Sequence, residues 1–162
     1  LFGKRLLLVK QENKEAFESI SQSELKNKTA CQGMHWPDSD ILKQNGYKLV
    51  EVIDFDSNIK MLMRDRCDYF PRGIHEAQLD LNNFNSVDQK LAIVESVLLK
   101  YSASVYFFVG KHNKPLAERI TKGLEKLKAS GEMDRLLFNS KTFNYDESIE
   151  LNPKMKVFQL DN

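Results

Sequence analysis

Apolar residues in this chain come in short dense runs, and between those runs they recur at helical spacing. The unbroken core Leu6-Leu7-Leu8-Val9 predicts a strand over 4–10, and Phe17 with Ile20 on one side predicts a short helix over 13–20. A strand over 29–32 stops at Gly33. Pro37 suits the first position of a helix that carries Ile41 and Leu42 and ends at Asn45-Gly46, a good C-terminal cap. The pattern then repeats, with a strand over 48–53, a helix over 57–66 burying Ile59, Leu62 and Met63, and a strand over 68–71. A polar loop is expected over 82–88, and two further strands, 91–94 and 105–109, bracket "ESVLLKYSAS". Leu116, Ile120, Leu124 and Leu127 predict a helix over 115–130 that stops at Gly131, and a second helix covers 133–138. The end, 156–160, reads as a strand or an extended tail.

Strand, helix, strand, helix, strand at this spacing predicts an α/β fold with a mainly parallel sheet and crossover helices. Right-handed crossovers place the strands at 48–53, 29–32 and 68–71 side by side in that order, the second-first-third (2-1-3) order of a flavodoxin-like sheet. Ligands in such sheets bind outside the strand carboxyl ends, where the winding reverses. That point lies between the strands at 29–32 and 68–71.

The residues leaving those two strand ends are the candidate ligand-binding set: Gly33, Met34, His35 and Trp36 from one, and Arg72 and Gly73 from the other, followed by His75 and Glu76. Backbone N–H groups at a helix start can hold a carboxylate or phosphate, Gly33 lets the backbone turn closely, and Trp36 offers a flat apolar wall. Arg72 adds a planar donor fork suited to an anion. Blander readings stand beside these. Arg72 and Glu76 are four apart and can form a surface ion pair; Trp36 can be a packing residue before a proline; His35 and His75 can be structural. Asp38 and Asp40 compete for the same helix start.

Composition narrows the function classes. The 162 residues are 41% hydrophobic and 29% charged, enough to bury a core, and the formal net charge of +1 argues against a nucleic-acid partner. The longest charge-free runs are too short to cross a bilayer. Cys31 and Cys67 form no CxxC, which makes a zinc site unexpected, and both are expected to be unpaired buried thiols on adjacent parallel strands. "HEAQL" at 75–79 lacks the second histidine of a metalloprotease motif. No GxSxG, P-loop or GxGxxG is present, and no catalytic residue, metal ligand or cofactor is expected. The site points to binding rather than turnover.

Four segments in order carry a resemblance to a known family: "LFGKRLLLVK", "CQGMHWPDSDILKQNGYKLVEV", "IKMLMRDRCDYFPRGIHEA" and "YFFVGKHNKPLAERITKGLEKLKASGEMDRLLF". Together they resemble the bacterial extracellular solute-binding proteins of the polar amino-acid ABC-transporter type, which have the type II periplasmic binding protein fold. The resemblance implies a hinge strand over 1–10, a complete α/β lobe over 11–100, and the C-terminal part of the other lobe, with its helices, over 101–162. It implies that Gly33 to Trp36 hold the ligand's carboxylate. Members usually end the third strand in an acidic residue that grips an α-amino group; Arg72-Gly73 here implies an acidic or otherwise different solute. Members are usually longer, so the chain is expected to lack the N-terminal part of the first lobe.

The function so implied is periplasmic binding of a small polar or acidic amino-acid-like solute for a membrane permease or a sensor, in an exported protein whose signal peptide is absent from this chain. Two other classes stay open. One is a degenerate interaction or dimerisation protein, in which the apolar strand at 105–109 drives a homodimer. The other is an enzyme of unknown reaction on the same fold.

Overall fold

In the computed structural model, residues 2–85, 90–139 and 152–161 are described. The strands are β1 (Lys4–Lys10), β2 (Thr29–Gly33), β3 (Lys48–Val52), β4 (Phe70–Gly73), β5 (Leu91–Lys100) and β6 (Lys156–Gln159). The helices are α1 (Lys14–Ser19), α2 (Gln22–Asn27), α3 (Pro37–Gln44), α4 (Phe55–Met63), α5 (Ala77–Phe84), α6 (Lys114–Ala129) and α7 (Glu132–Phe138). Hydrogen bonds join β4-β1-β5-β6 in one sheet and β2-β3 in another. A parallel bridge between Ala30 and Tyr69 connects the two. The strand order is therefore β3-β2-β4-β1-β5-β6, and the second-first-third arrangement predicted for 48–53, 29–32 and 68–71 is present.

β1 is the one described strand that runs against the rest, antiparallel to β4 on one side and β5 on the other. This places its first residues at the carboxyl ends of its neighbours, with Arg5 opposite both Gly73 and Leu99. The strand expected as a hinge is thus a central strand of the sheet. β6, expected with the other lobe, pairs in parallel with β5 and belongs to the same sheet.

Successive side chains of a strand point to opposite faces. Leu7 and Val9 pack on one face with Phe17, Leu25, Leu42 and Tyr69; Leu6 and Leu8 pack on the other with Ile59, Leu62, Phe70 and Ile74. All four β1 side chains are fully buried. Both faces being covered by helices explains why β1 reads as continuous apolar sequence rather than as an alternation.

Three expected elements differ. The strand at 91–94 extends to Lys100, because its second half finds partners in both β1 and β6. The helix α2, missed in the sequence, is set by a capping box in which Ser21 and Glu24 satisfy each other's backbone N–H groups. The strand expected at 105–109 does not form: residues 101–110 carry no regular structure, and Val105, Tyr106, Phe107 and Phe108 are 68–92% exposed. An apolar run becomes a strand only where a neighbouring backbone supplies the ladder. Part of the loop expected over 82–88 is the end of α5; residues 86–89 lie outside the described set.

The cysteines also correct the expectation. Cys31 and Cys67 form a disulfide, with Cα atoms 5.5 Å apart. The expectation put Cys67 in the strand beside Cys31, where side-chain directions are unfavourable. Cys67 instead lies in the bend before β4 and turns back toward β2. The bond crosses the junction of the two sheets, which is otherwise short: Asp68 N–H donates to Thr29 O (2.7 Å) and Cys31 N–H to Tyr69 O (2.8 Å). Closing a loop of 36 residues removes entropy from the unfolded chain worth about 4 kcal/mol in the chain-entropy treatment. Urea unfolding of the oxidised protein and of Cys31→Ala/Cys67→Ala should differ by about that amount. Equal stabilities, or a native mass unchanged by reduction, would show the thiols to be free.

Candidate functional site

Two connections and one strand start meet at the carboxyl edge of the sheet. The β2–α3 loop brings Gly33 to Trp36, the β4–α5 turn brings Arg72 to Glu76, and antiparallel β1 brings Arg5. Between them lies a crevice of about 190 Å³ lined by Arg5, Gln32, Trp36, Asp38, Pro71, Arg72 and Glu76. A larger cavity of about 600 Å³ adjoins it, sharing Arg5, Asp38 and Glu76 and adding His75, Phe2, Tyr101 and residues 102–106.

Arg72 is packed as well as charged. Its guanidinium lies over the rings of Phe55 (4.7 Å), Phe70 (5.2 Å) and Trp36 (5.8 Å). Its Nε donates to Asp80 at 2.6 Å, and an Nη reaches Glu76 at 3.3 Å. The pairing with Glu76 foreseen as a surface contact is therefore real, but Arg72 is 11% exposed and Asp80 is the closer partner. Burial raises the Asp80 carboxyl above its ordinary pKa, more than the nearby Arg72 lowers it.

The glycines have local reasons. A Cβ on Gly33 would stand 2.3 Å from the Trp36 ring, so the indole folds directly onto the backbone. A Cβ on Gly73 would stand 2.6 Å from a Glu76 carboxylate oxygen, which accepts from the Gly73 N–H at 3.1 Å. Glycine thus lets Trp36 and Glu76 close over the strand ends.

The loop amides are largely engaged. Gly33 N–H donates to the Gln32 side chain (3.1 Å), Met34 N–H to Val52 O (2.7 Å), and Trp36 N–H to Gly33 O (3.1 Å). Met34 and His35 form the exposed loop tip and line neither cavity; His35 has a left-handed backbone, φ 67°. His75 lines the larger cavity edge-on to Phe2 at 5.7 Å. Burial lowers its pKa against the opposing pull of Glu76, and Arg5 and Arg72 lower it further.

A second ion pair escaped the sequence reading. Arg5 Nε donates to Asp38 at 2.6 Å with both side chains about 85% buried, and the Tyr101 hydroxyl donates to the same carboxylate. The Arg5 guanidinium also lies over the Tyr101 ring at 5.3 Å. Burial opposes the charged form of Asp38, but the hydrogen bond and charge of Arg5 outweigh it and hold the carboxyl below its usual range. Asp38 was read as a helix-dipole residue. Only the reversed direction of β1 reveals its partner.

No family model and no curated protein matches this chain. Solved structures do. An amino-acid ABC transporter substrate-binding protein, AbpA of Streptococcus pneumoniae bound to L-arginine, superposes with a TM-score of 0.59 at 24% identity, over 82% of this chain and 54% of that one. An ancestral arginine-binding protein bound to arginine gives 0.57 at 21% identity, over 84% and 59%. A mutant of ArgBP from T. maritima gives 0.55 at 21%, over 84% and 57%. The fold is that of amino-acid substrate-binding proteins. At these identities the likeness is one of fold, and this chain spans between 54% and 59% of the length of those three.

In this chain the Arg5–Asp38 pair joins the start of β1 to α3 beside the crevice, which gives a direct test. Asp38→Asn should cost about 3–5 kcal/mol at neutral pH, because Arg5 is left buried without its counter-charge. The folded-state pKa of Asp38 is depressed, so its contribution is complete above the ordinary carboxylate value near 4 and is lost as pH falls through the folded value. Denaturant titrations from neutral to acid pH should show a constant gap between wild type and variant that closes only below about pH 4. A gap that is absent at neutral pH would remove the pair from the stability of the fold.

Proposed function

We propose that the crevice binds a small polar or acidic amino-acid-like solute, and that the protein is an extracellular or periplasmic solute binder serving an ABC-transporter permease or a sensor. One observation carries the reading. Arg5, Arg72, Glu76, Gln32 and Trp36 converge at the point where the winding reverses between β2 and β4, in a chain with the fold of amino-acid-binding proteins. A site with both cationic and anionic side chains beside an indole face suits a zwitterion: carboxylate toward the guanidinium groups, ammonium toward Glu76. His75 would border the solute from the adjoining cavity, while Met34 and His35, at the exposed loop tip, would stand outside the crevice. In this reading β1, residues 11–100 and β6 form a solute-holding lobe and the exposed segment from 101 to 139 contributes to another. The ligands named for the solved structures, arginine among them, make amino acids the first compounds to try.

The test is thermal unfolding and calorimetry against the standard L-amino acids. A bound solute at a hundred times its Kd should stabilise the protein by about 2.7 kcal/mol. A panel in which none shifts the melting temperature would overturn the reading.

Self-association has its own supporting observation in Val105, Tyr106, Phe107 and Phe108, a contiguous exposed apolar run. Light scattering should then show a mass that rises with concentration, and Phe107→Asp/Phe108→Asp should return it to that of the single chain. A concentration-independent single-chain mass for the unsubstituted protein would remove this second reading.

A further inference from the structure

The apolar run Val105-Tyr106-Phe107-Phe108-Val109 exposes more than side chains. Val105, Tyr106, Phe107 and Phe108 are 68%, 69%, 69% and 92% exposed. Among the described residues no hydrogen bond reaches the backbone of residues 103–109, so a row of N–H and C=O groups lies open beside those rings. No residue from 101 to 110 has a positive φ, and β-branched and aromatic side chains favour pleated pairing. The run thus has the composition of a strand and lacks a neighbouring backbone, which none of the described residues supplies.

We propose that a second copy of this chain supplies it: the two runs pair antiparallel across a two-fold axis at Phe107, forming a two-stranded ribbon between copies. This rests on the self-association reading above and adds to it the surface, the strand direction and the register. Centred on Phe107, the pairing sets Val105 against the partner's Val109, Tyr106 against the partner's Phe108, and Phe107 against its equal. All five apolar residues then meet apolar residues, whereas a slip of one residue sets a valine against the partner's Ser104 or the partner's Gly110. Charge selects the direction. Residues 102–110 carry none, and the antiparallel ribbon puts Lys111 opposite the partner's Ala103, while a parallel one in register would set two Lys111 side chains together. The area is also sufficient. At about 150–250 Å² per buried aromatic, the three rings and Val105 offer roughly 500 Å² per copy at those exposures, or about 1,000 Å² for the pair, the lower bound of a specific interface.

Single-cysteine variants read the register. Cys31 and Cys67 are bonded to each other, so an introduced thiol is the one that reacts. Across the axis, two residues at position 107 stand about 5 Å apart, within disulfide reach, whereas position 105 stands about 13 Å from its equal, beyond it. Phe107→Cys should therefore form a covalent dimer under diamide roughly ten-fold faster or more than Val105→Cys or Val109→Cys alone. Mixing Val105→Cys chains with Val109→Cys chains should restore the fast cross-link. In the unsubstituted protein, light scattering should reach a plateau at twice the single-chain mass, and amide exchange at 105–109 should slow as concentration rises, a readout that needs no variant. Equal cross-linking rates at 105, 107 and 109, or a mass that climbs past two chains without a plateau, would overturn the two-fold ribbon and leave self-association standing. A single-chain mass at every concentration would overturn both; if that chain sediments with phosphatidylglycerol vesicles, the run belongs to a lipid surface instead.

Discussion

The buried pair between Arg5 and Asp38 is the interaction on which the site edge of this molecule depends. It ties the first turn of α3 to the start of β1, and through the Tyr101 hydroxyl it reaches the residue after β5. The pair exists because one strand is reversed within an otherwise parallel sheet. Had β1 run with its neighbours, Arg5 would sit at the opposite edge, and Asp38 would face the crevice as an unpaired carboxylate. Burying two charges is costly unless they meet each other with good geometry, and here each also gains a further hydrogen bond.

Arg72 shows the same economy at the other lip. Three aromatic faces and two carboxylates hold its guanidinium, so it enters the crevice as an oriented group rather than a mobile cation. Glu76 is the more exposed partner, at 39%, and borders both cavities. The crevice therefore presents positive and negative groups whose charges are largely balanced within the protein. A solute with both signs of charge, or with none, meets less electrostatic penalty there than a strongly anionic one.

The narrow link between the β2-β3 pair and the remaining strands is a second structural constraint. Both lips of the crevice leave from that junction, one from each side. Its few backbone hydrogen bonds are reinforced by the Cys31–Cys67 bond, buried in the cluster with Leu6, Phe70 and Ile74. Cross-linking there fixes the separation of the lips without adding bulk to the site.

Local sequence was enough to determine the strand-helix rhythm and the order of β3, β2 and β4, because apolar periodicity, Pro37 and the Asn45-Gly46 cap are short-range signals; of the residues expected at the strand ends, Trp36, Arg72 and Glu76 line the crevice and Met34 and His35 do not. The Arg72–Glu76 contact was legible for the same reason, being one helical turn in spacing. What only the tertiary structure decided involves partners distant in the chain. The Arg5–Asp38 pair spans 33 residues and the disulfide 36, and both depend on strand direction and on which way a side chain leaves a bend. The second half of β5 is held between β1, beyond a shift in register, and β6, more than fifty residues later, whereas the equally apolar run at 105–109 forms no strand. Gln32 reads as one polar residue at the end of a strand; only the packing around it buries it beside the crevice with its amide oxygen on the Gly33 N–H. Periodicity records how each segment prefers to bury itself, but the partner that completes a charge, a thiol or a ladder is set by the topology that brings distant segments together.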